Sequence, residues 1–239
     1  MLPSQCNNEQ DLQRSLRMAG RALGRAGLVH AYGHCSVKPH KPLNAELHRN
    51  GQFLVCAPEP MGTIRVTDEN QWAPIVGQLP KGVLGEVRIH QFIYQKRPEI
   101  NAVCRIMSPK VMTLSTLGEA PKPRHGLGAY FGADIPVWMD PRLLRDDDSA
   151  EQLVDHMGSC NAVVMRGNGA VVAGESLEET LAYAFFLEDA ARVELEVRGM
   201  GYGQNDFLLS PDEITARQVK AGRVFDRMWR YLTDGDPET

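Results

Sequence analysis

Residues 84–109 read LGEVRIHQFIYQKRPEINAVCRIMSP, and this stretch predicts a helix that leads into a strand. The helix is predicted from about Leu84 to Lys96, and Pro98 stops it because proline cannot continue a helical hydrogen-bond ladder. Residues four apart share one face of a helix, so Glu86 and His90 are expected to lie on the same side. The helix is therefore predicted to present a carboxylate and an imidazole together.

The strand of this stretch is predicted over residues 101–107, and a short helix is predicted to begin at Ser108-Pro109, since proline suits a first helical turn. Alternate residues of a strand point to the same side of a sheet. Arg105 and Met107 are thus expected on one face. A guanidinium is then positioned to meet the carboxylate and imidazole of the preceding helix.

Composition points to one folded domain over residues 1–239. Apolar residues make up 43% and charged residues 23% of the chain, which is close to the globular average. The net charge of −4 and the lack of a basic stripe argue against nucleic acid as a partner. No apolar run is long enough for a membrane span and no signal-like start is present, so a cytoplasmic location is expected. Five scattered cysteines without a Cys-x-x-Cys pair predict reduced thiols.

The remaining elements alternate between helical and strand patterns. This order predicts an α/β fold with helices packed on a central sheet. The predicted helices run from Asn8 to Gly27, from the capping residue Ser149 to Met157, from the capping box at Ser176, and over about 210–233. The predicted strands are Ser36–Lys38, Gln52–Ala57, Ile64–Val66, Ala162–Met165 and Ala170–Ala173, with a tight turn at Arg166–Gly169 between the last two.

Three ordered motifs resemble the class II aldolase/adducin family, and the resemblance extends from about Leu12 to Gly201. The motifs are GHCSVK at 33–38, Glu86-x-x-x-His90 with IY at 93–94 and RPEINAV at 97–103, and RGNG at 166–169 with GESLEE at 174–179. The resemblance implies a three-layer α/β/α fold with a central, mostly antiparallel sheet. It also implies a homo-oligomer, usually a tetramer, with the site at a subunit boundary. A neighbour's Tyr202 or Tyr231 completes that site in one interpretation; in the other, these tyrosines only pack against helices.

The family binds a divalent metal ion through a His-x-His pair and a later histidine, and these positions differ here. They hold Arg105, Met107 and Asn168, of which none is a good ligand for such an ion. The resemblance therefore implies that the metal site is lost and that no cofactor is bound. A different metal site, for instance from His34, Cys104 and His125, stays open as an alternative.

The resemblance assigns Glu86 to the family's acid/base carboxylate, and Arg105 is the second catalytic candidate. Arg105 either neutralises negative charge on a substrate or on Glu86 where the metal would sit, or forms a structural ion pair. The predicted substrate-binding residues are His34, Ser36, Lys38, Asn168 and His125. His34 either contacts substrate or only fills a corner, and Lys38 either binds an anion or is solvated.

The substrate is expected to be a small carboxylic acid without phosphate. The phosphate-binding runs of sugar-phosphate members are replaced by CAPEPMG at 56–62 and VLG at 83–85, and Glu59 would repel a phosphate dianion. The LGE form at 84–86 and RHG at 124–126 are similar to members that decarboxylate aromatic or small hydroxy acids. Two functions follow: a metal-independent lyase acting on a hydroxy or keto acid, by C–C cleavage, decarboxylation or proton transfer, or a non-catalytic, adducin-like scaffold.

Overall fold

The computed structural model describes residues 2–6, 8–39 and 51–239. The strands in this part of the chain are β1 (His34–Val37), β2 (Gln52–Val55), β3 (Gln71–Pro74), β4 (Ala102–Ile106), β5 (Val137–Trp138), β6 (Ala162–Met165) and β7 (Ala170–Gly174). The α-helices are α1 (Glu9–Arg25), α2 (Arg88–Lys96), α3 (Pro109–Thr116), α4 (Asp147–Met157), α5 (Leu177–Gly199), α6 (Pro211–Arg217) and α7 (Val224–Thr233). None of these described helices is long and apolar enough to cross a membrane.

The strands form one sheet in the order β3-β2-β1-β4-β7-β6-β5. Neighbouring strands pair antiparallel except β5 and β6, which are parallel. The predicted α/β fold with a mostly antiparallel sheet is confirmed. At the centre, β1 pairs with β4 so that His34 lies opposite Arg105.

Helices cover both faces of the sheet because β4 is apolar on both. Ala102, Cys104 and Ile106 belong to the core formed with α1, α3, α5 and α7. Val103 belongs to the second core, formed with α2 and α4. Arg105 shares the face of Val103 by strand alternation. The guanidinium therefore points toward the layer that contains α2, the helix predicted to supply its partners.

Helix caps follow the sequence signals in part. Asn8 accepts a hydrogen bond from the Asp11 N–H at 2.8 Å and begins α1. Ser176 caps α5, and Ser210 forms a full capping box at α6. The predicted cap at Ser149 is wrong, because Asp146 accepts from the Ser149 N–H at 2.8 Å and α4 begins two residues earlier. A carboxylate three residues upstream is as good a cap as a serine.

Three predicted elements differ from the structure in detail. Ile64–Val66 is not a strand: it follows a 3-10 turn at Met61–Thr63, and Ile64 is buried against α1. The helix predicted from Leu84 instead starts with a 3-10 turn at Gly85–Val87 and continues as α2. The strand ends at Ile106, so Met107 lies outside it. In such short apolar segments the hydrophobic pattern alone does not distinguish a strand from a helix or a turn.

The helix predicted over 210–233 is two helices, α6 and α7. Residues 218–223 interrupt it, with Gly222 at φ +78° and Arg223 at φ +61°. Left-handed backbone ends a right-handed helix. Glycine adopts this conformation at no steric cost. The sequence did not predict the break because apolar residues recur with helical spacing on both sides of it.

The chain end is held against α1 by a group that we call the C-terminal clasp, formed by Arg17, Arg21, Arg25, Asp236 and Glu238. Asp236 accepts hydrogen bonds from Arg21 at 2.8 and 2.6 Å and from Arg25 at 2.9 Å. Glu238 accepts from Arg17 and Arg21. The three arginines are four residues apart and share one helix face. The clasp therefore joins the two ends of the described chain.

Candidate functional site

A carboxylate, an imidazole and a guanidinium meet at the centre of the sheet, beside the start of α2. Glu86 stands on the 3-10 turn, and its Oε2 lies 3.7 Å from Arg105 Nε and 3.9 Å from His34 Nε2. Arg105 Nη2 donates to Asn168 Oδ1 at 2.5 Å. We call these four residues the Glu86 cluster. Glu86 and Arg105 lie near each other as predicted, but the predicted imidazole of His90 is not in this group. The imidazole beside Glu86 is that of His34, and Asn168 is the fourth member.

Two glycines allow the backbone to bring the cluster together. Gly169, at φ +78°, follows Asn168, and a Cβ there would lie 2.1 Å from the Ile106 carbonyl oxygen. Gly33, at φ +137°, precedes His34, and a Cβ there would lie 3.0 Å from the Arg105 carbonyl oxygen. Both positions combine left-handed backbone with close approach to β4, which only glycine tolerates.

Four polar atoms of the Glu86 cluster are buried and have no hydrogen-bond partner within residues 2–6, 8–39 and 51–239. They are Glu86 Oε1, His34 Nε2, Arg105 Nε and Arg105 Nη1. Buried polar atoms are nearly always satisfied by protein, water or ligand. These four atoms are therefore the ones available to a bound molecule. They present both hydrogen-bond donors and a carboxylate oxygen.

Burial and mutual contact set the charges of the cluster. Burial raises the pKa of Glu86, but the neighbouring His34 imidazole and the positive charge of Arg105 outweigh it, so the pKa lies below its ordinary value. Burial lowers the pKa of His34 despite the nearby carboxylate. Burial also lowers the pKa of Arg105, against the attraction of Glu86. At neutral pH the cluster thus holds an ionised carboxylate, a neutral imidazole and a guanidinium cation.

A narrow crevice leads to His34 from the solvent. Its walls include Gly33, the 56–59 segment and the 82–84 segment, and Glu59 is exposed beside it. Glu86 is 18% exposed, whereas Arg105 is 3% and His34 2% exposed. Of these three side chains, the Glu86 carboxylate therefore reaches furthest toward solvent.

Behind His34, a line of hydrogen bonds runs to the interior. His34 Nδ1 lies 2.9 Å from His90 Nε2, His90 Nδ1 lies 2.6 Å from Ser36 Oγ, and Ser36 Oγ lies 2.8 Å from the Tyr94 hydroxyl. All four residues are buried. We call them the His34–Tyr94 chain. Ser36, predicted to bind substrate, contacts this chain instead of the crevice.

Sequence reasoning missed Tyr94 as a functional candidate. A signal existed, since Tyr94 follows His90 by four residues, as His90 follows Glu86. His34 and Ser36 likewise alternate on β1 and share one face. What the spacing could not indicate was that these two faces lie against each other.

The other predicted site residues lie away from the Glu86 cluster in this chain. Lys38 Nζ donates to the Pro98 carbonyl at 2.9 Å and lies 5.6 Å from the centre of the Tyr94 ring. His125 Nε2 is 3.8 Å from Asp189 Oδ2 on α5. The structure therefore does not bring Lys38 or His125 into contact with Glu86.

The residues present do not fit the divalent ion that the family resemblance implies. A cation beside Glu86 would meet the Arg105 guanidinium, and Met107 and Asn168 are poor replacements for imidazoles. The part of the chain that the structure describes holds no group of three His, Cys, Asp or Glu residues that could bind a metal. The alternative site from His34, Cys104 and His125 is therefore absent from it.

The comparisons with known proteins show the family and the fold of this chain. The family model "Class II Aldolase and Adducin N-terminal domain" matches residues 14–195. A 3,4-dihydroxyphthalate decarboxylase of Arthrobacter keyseri is 26% identical over 229 residues, which cover 92% of this chain and 91% of that protein. Gamma-adducin of Rattus norvegicus is 27% identical over 122 residues, covering 50% of this chain and 17% of that protein. The structure of an aldolase II superfamily protein from Pseudomonas syringae shares the fold, with a TM-score of 0.74 at 18% identity, covering 95% of this chain and 92% of that one.

Proposed function

The chain belongs to the class II aldolase and adducin N-terminal domain family, and from this premise we propose that it is a lyase that decarboxylates a small hydroxylated carboxylic acid without the family metal. A decarboxylase relative that aligns over most of both chains supports this reaction class. The loss of the phosphate-binding runs and the presence of Glu59 at the crevice support a substrate without phosphate.

The observation that carries the proposal is the set of unpartnered polar atoms in the Glu86 cluster. Arg105 Nε and Nη1 present two donors from one planar guanidinium, a geometry that suits a carboxylate or enolate. Glu86 Oε1 is an ionised acceptor beside them. A plain structural ion pair would use these atoms on each other, whereas Glu86 and Arg105 remain 3.7 Å apart.

These groups suffice for a balanced decarboxylation. Glu86 takes the proton of a substrate hydroxyl and gives it to the carbon that carries the carboxylate. In a hydroxylated aromatic acid the C–C bond to the carboxylate then breaks, CO₂ leaves, and the bonding electrons pass through the ring to the oxygen that lost its proton. The oxygen that lost its proton recovers one from solvent. Arg105 and His34 stabilise the negative charge on oxygen while the bond breaks, which is the contribution a metal ion makes elsewhere.

The direct experiment is CO₂ release from 3,4-dihydroxyphthalate and related hydroxybenzoic acids by purified protein, with and without a chelator. We expect turnover that the chelator does not change. Glu86→Gln and Arg105→Met should each lower turnover by about 10²-fold or more, with the fold and oligomeric state unchanged. Glu99→Gln, an exposed glutamate paired with Arg97, is the matched control. Full activity in both cluster variants would refute the assignment.

The second candidate function is a non-catalytic scaffold. It is favoured by the similarity to gamma-adducin and by the narrowness of the crevice. The two functions differ in ligand binding, because a scaffold does not need a substrate to bind the unpartnered N–H groups of Arg105. A thermal-shift screen with hydroxylated aromatic acids separates them: a dose-dependent rise in Tm in the wild type, lost in Arg105→Met, supports the lyase.

We also propose a cytoplasmic homo-oligomer, a tetramer in keeping with the family resemblance. Large apolar side chains, including Tyr32, Phe207 and Tyr231, are exposed on the single chain and support contacts between copies. Tyr202 and Tyr231 remain candidates for completing a neighbour's site. Sedimentation of the purified protein tests the oligomer, and a monomer at micromolar concentration would contradict it.

A further inference from the structure

The His34–Tyr94 chain is continuous, and every link in it is within hydrogen-bond distance. The three separations, from the Tyr94 hydroxyl to Ser36, on to His90 and then to His34, are 2.8, 2.6 and 2.9 Å. All four side chains are buried, so each of them finds its hydrogen-bond donor or acceptor in a neighbouring member of the chain. Each imidazole has one hydrogen when neutral, on one of two nitrogens. The hydrogen bonds of the His34–Tyr94 chain can therefore be donated in only two directions, from Tyr94 toward His34 or from His34 toward Tyr94.

Tyr94 selects the direction. Among the residues that the structure describes, its hydroxyl has a single hydrogen-bond partner, Ser36 Oγ. Burial raises the pKa of Tyr94 well above its ordinary value, so the hydroxyl keeps its proton and donates it to Ser36. The Ser36 hydroxyl then donates to His90 Nδ1. His90 has its hydrogen on Nε2 and donates to His34 Nδ1, which leaves the hydrogen of His34 on Nε2.

Donation in the opposite direction, from His34 toward Tyr94, is unfavourable at both ends of the His34–Tyr94 chain. At the inner end, Ser36 would donate to Tyr94, and the Tyr94 hydrogen would have no acceptor in the described part of the chain. At the outer end, the lone pair of His34 Nε2 would face the ionised Glu86 carboxylate 3.9 Å away. A charged state is also disfavoured, because burial lowers the pKa of His34 and lowers that of His90 well below its ordinary value.

We propose that Tyr94, Ser36 and His90 are positioning residues that hold His34 as a neutral imidazole with its hydrogen on Nε2, facing the bound substrate. The proposal rests on the proposed function for what His34 meets there, but the position of the hydrogen does not depend on it. With the hydrogen on Nε2, His34 and Arg105 are donors and Glu86 is the acceptor. A hydroxy acid matches this pattern, whereas a keto acid without a hydroxyl gives Glu86 no hydrogen to accept.

The test is nitrogen NMR of the full-length protein with ¹⁵N-labelled histidine at pH 7, which distinguishes the two neutral tautomers and the charged ring. We expect hydrogens on Nε2 of both His34 and His90, assigned through His34→Gln and His90→Gln. Hydrogen on Nδ1 of His34, or a doubly protonated ring, in the wild type would overturn the proposal. The scalar coupling between the nitrogens across the His90–His34 hydrogen bond also identifies these two rings in the wild type, so the measurement decides the proposal even where a variant does not fold.

Two serine variants test the cause. Ser36→Ala removes the donor to His90 Nδ1, so we expect the Nε2–H population of His34 to fall. Ser108→Ala is the matched control, because Ser108 is equally buried but its hydroxyl has no hydrogen-bond partner within the described residues. Its tautomers should equal those of the wild type. An unchanged His34 tautomer in folded Ser36→Ala would show that the chain does not position this ring.

Ligand binding and turnover provide readouts that separate this proposal from the proposed function. We expect mandelate, a hydroxy acid, to bind at least about ten times more tightly than phenylglyoxylate, its keto counterpart, a difference of about 1.4 kcal/mol. Equal or tighter binding of phenylglyoxylate overturns the assignment of donors and acceptor. If the predicted tautomers are found but no acid is decarboxylated, the proposed function fails while the positioning of His34 stands.

Discussion

Removing the charge of Asp236 should destabilise the protein more than any comparable change at its surface. The Asp236 side chain is fully buried and Arg21 is 7% exposed, so Asp236→Asn leaves a buried guanidinium with one carboxylate fewer. Removing one partner of a buried ion pair costs about 3–5 kcal/mol. Glu238 still contacts Arg21, at 2.7 Å, so we expect the lower end, about 3 kcal/mol.

The effect should depend on pH in a defined direction. Burial raises the pKa of Asp236, but the hydrogen bonds from Arg21 and Arg25 lower it further, so the folded-state pKa lies below the ordinary value. A depressed pKa contributes stability that is present above the unfolded-state pKa and is lost as pH falls through the folded-state pKa. The difference between wild type and Asp236→Asn should therefore be constant down to about pH 4 and shrink below it.

Thermal unfolding followed by circular dichroism, at one protein concentration, measures the loss of stability in Asp236→Asn. A loss of about 3 kcal/mol corresponds to a fall in Tm of roughly 6–12 °C for a chain of this size. Asp234→Asn is the matched control: Asp234 is exposed two residues away, and its side chain has no hydrogen bond or ion pair among the described residues. A change below about 1 kcal/mol in Asp236→Asn, or an equal change in Asp234→Asn, would refute the clasp as a stabilising feature.

Three further outcomes are expected. Gly169→Ala should cost about 2 kcal/mol more in unfolding free energy than Gly167→Ala. Both have positive φ, but no described atom lies within 4 Å of a Cβ at Gly167; similar losses would contradict this. In the pH–rate profile, Arg105→Met should move the acidic limb to higher pH, because the charge that lowers the pKa of Glu86 is gone; an unmoved limb would exclude Glu86 as the titrating base. Metal analysis of purified protein should find far less than one divalent ion per chain, and a full equivalent would overturn our account of the site.

The fold was largely predictable because its signals are local. Apolar periodicity, caps and turns predicted α1, the strands β6 and β7, and the start of α5. Competing local signals produced the errors. Asp146, an equally good cap, begins α4 in place of Ser149, and a glycine followed by a left-handed residue broke the C-terminal helix that apolar spacing predicted as continuous.

For the site, sequence by itself determined which chemical groups are available. It placed Glu86 four residues before His90 and put Arg105 on a strand where the family has a histidine. It could not decide which of these groups face each other. Lys38 and His34 belong to the same segment, yet only His34 contacts the cluster, because Lys38 lies beyond β1 and packs on the Tyr94 ring.

The tertiary structure alone decided that His34 is hydrogen-bonded to the buried residues behind it. His34 and His90 are 56 residues apart, and Ser36 and Tyr94 are 58 apart. Their contacts exist because β1 pairs with β4 in one register and α2 lies on the face of the sheet that carries Ser36 and Val103, a long-range arrangement that no local pattern encodes. A shift of one residue in β1 would turn His34 and Ser36 to the opposite face. Periodicity thus indicates which side chains share a face, and strand register decides what that face meets.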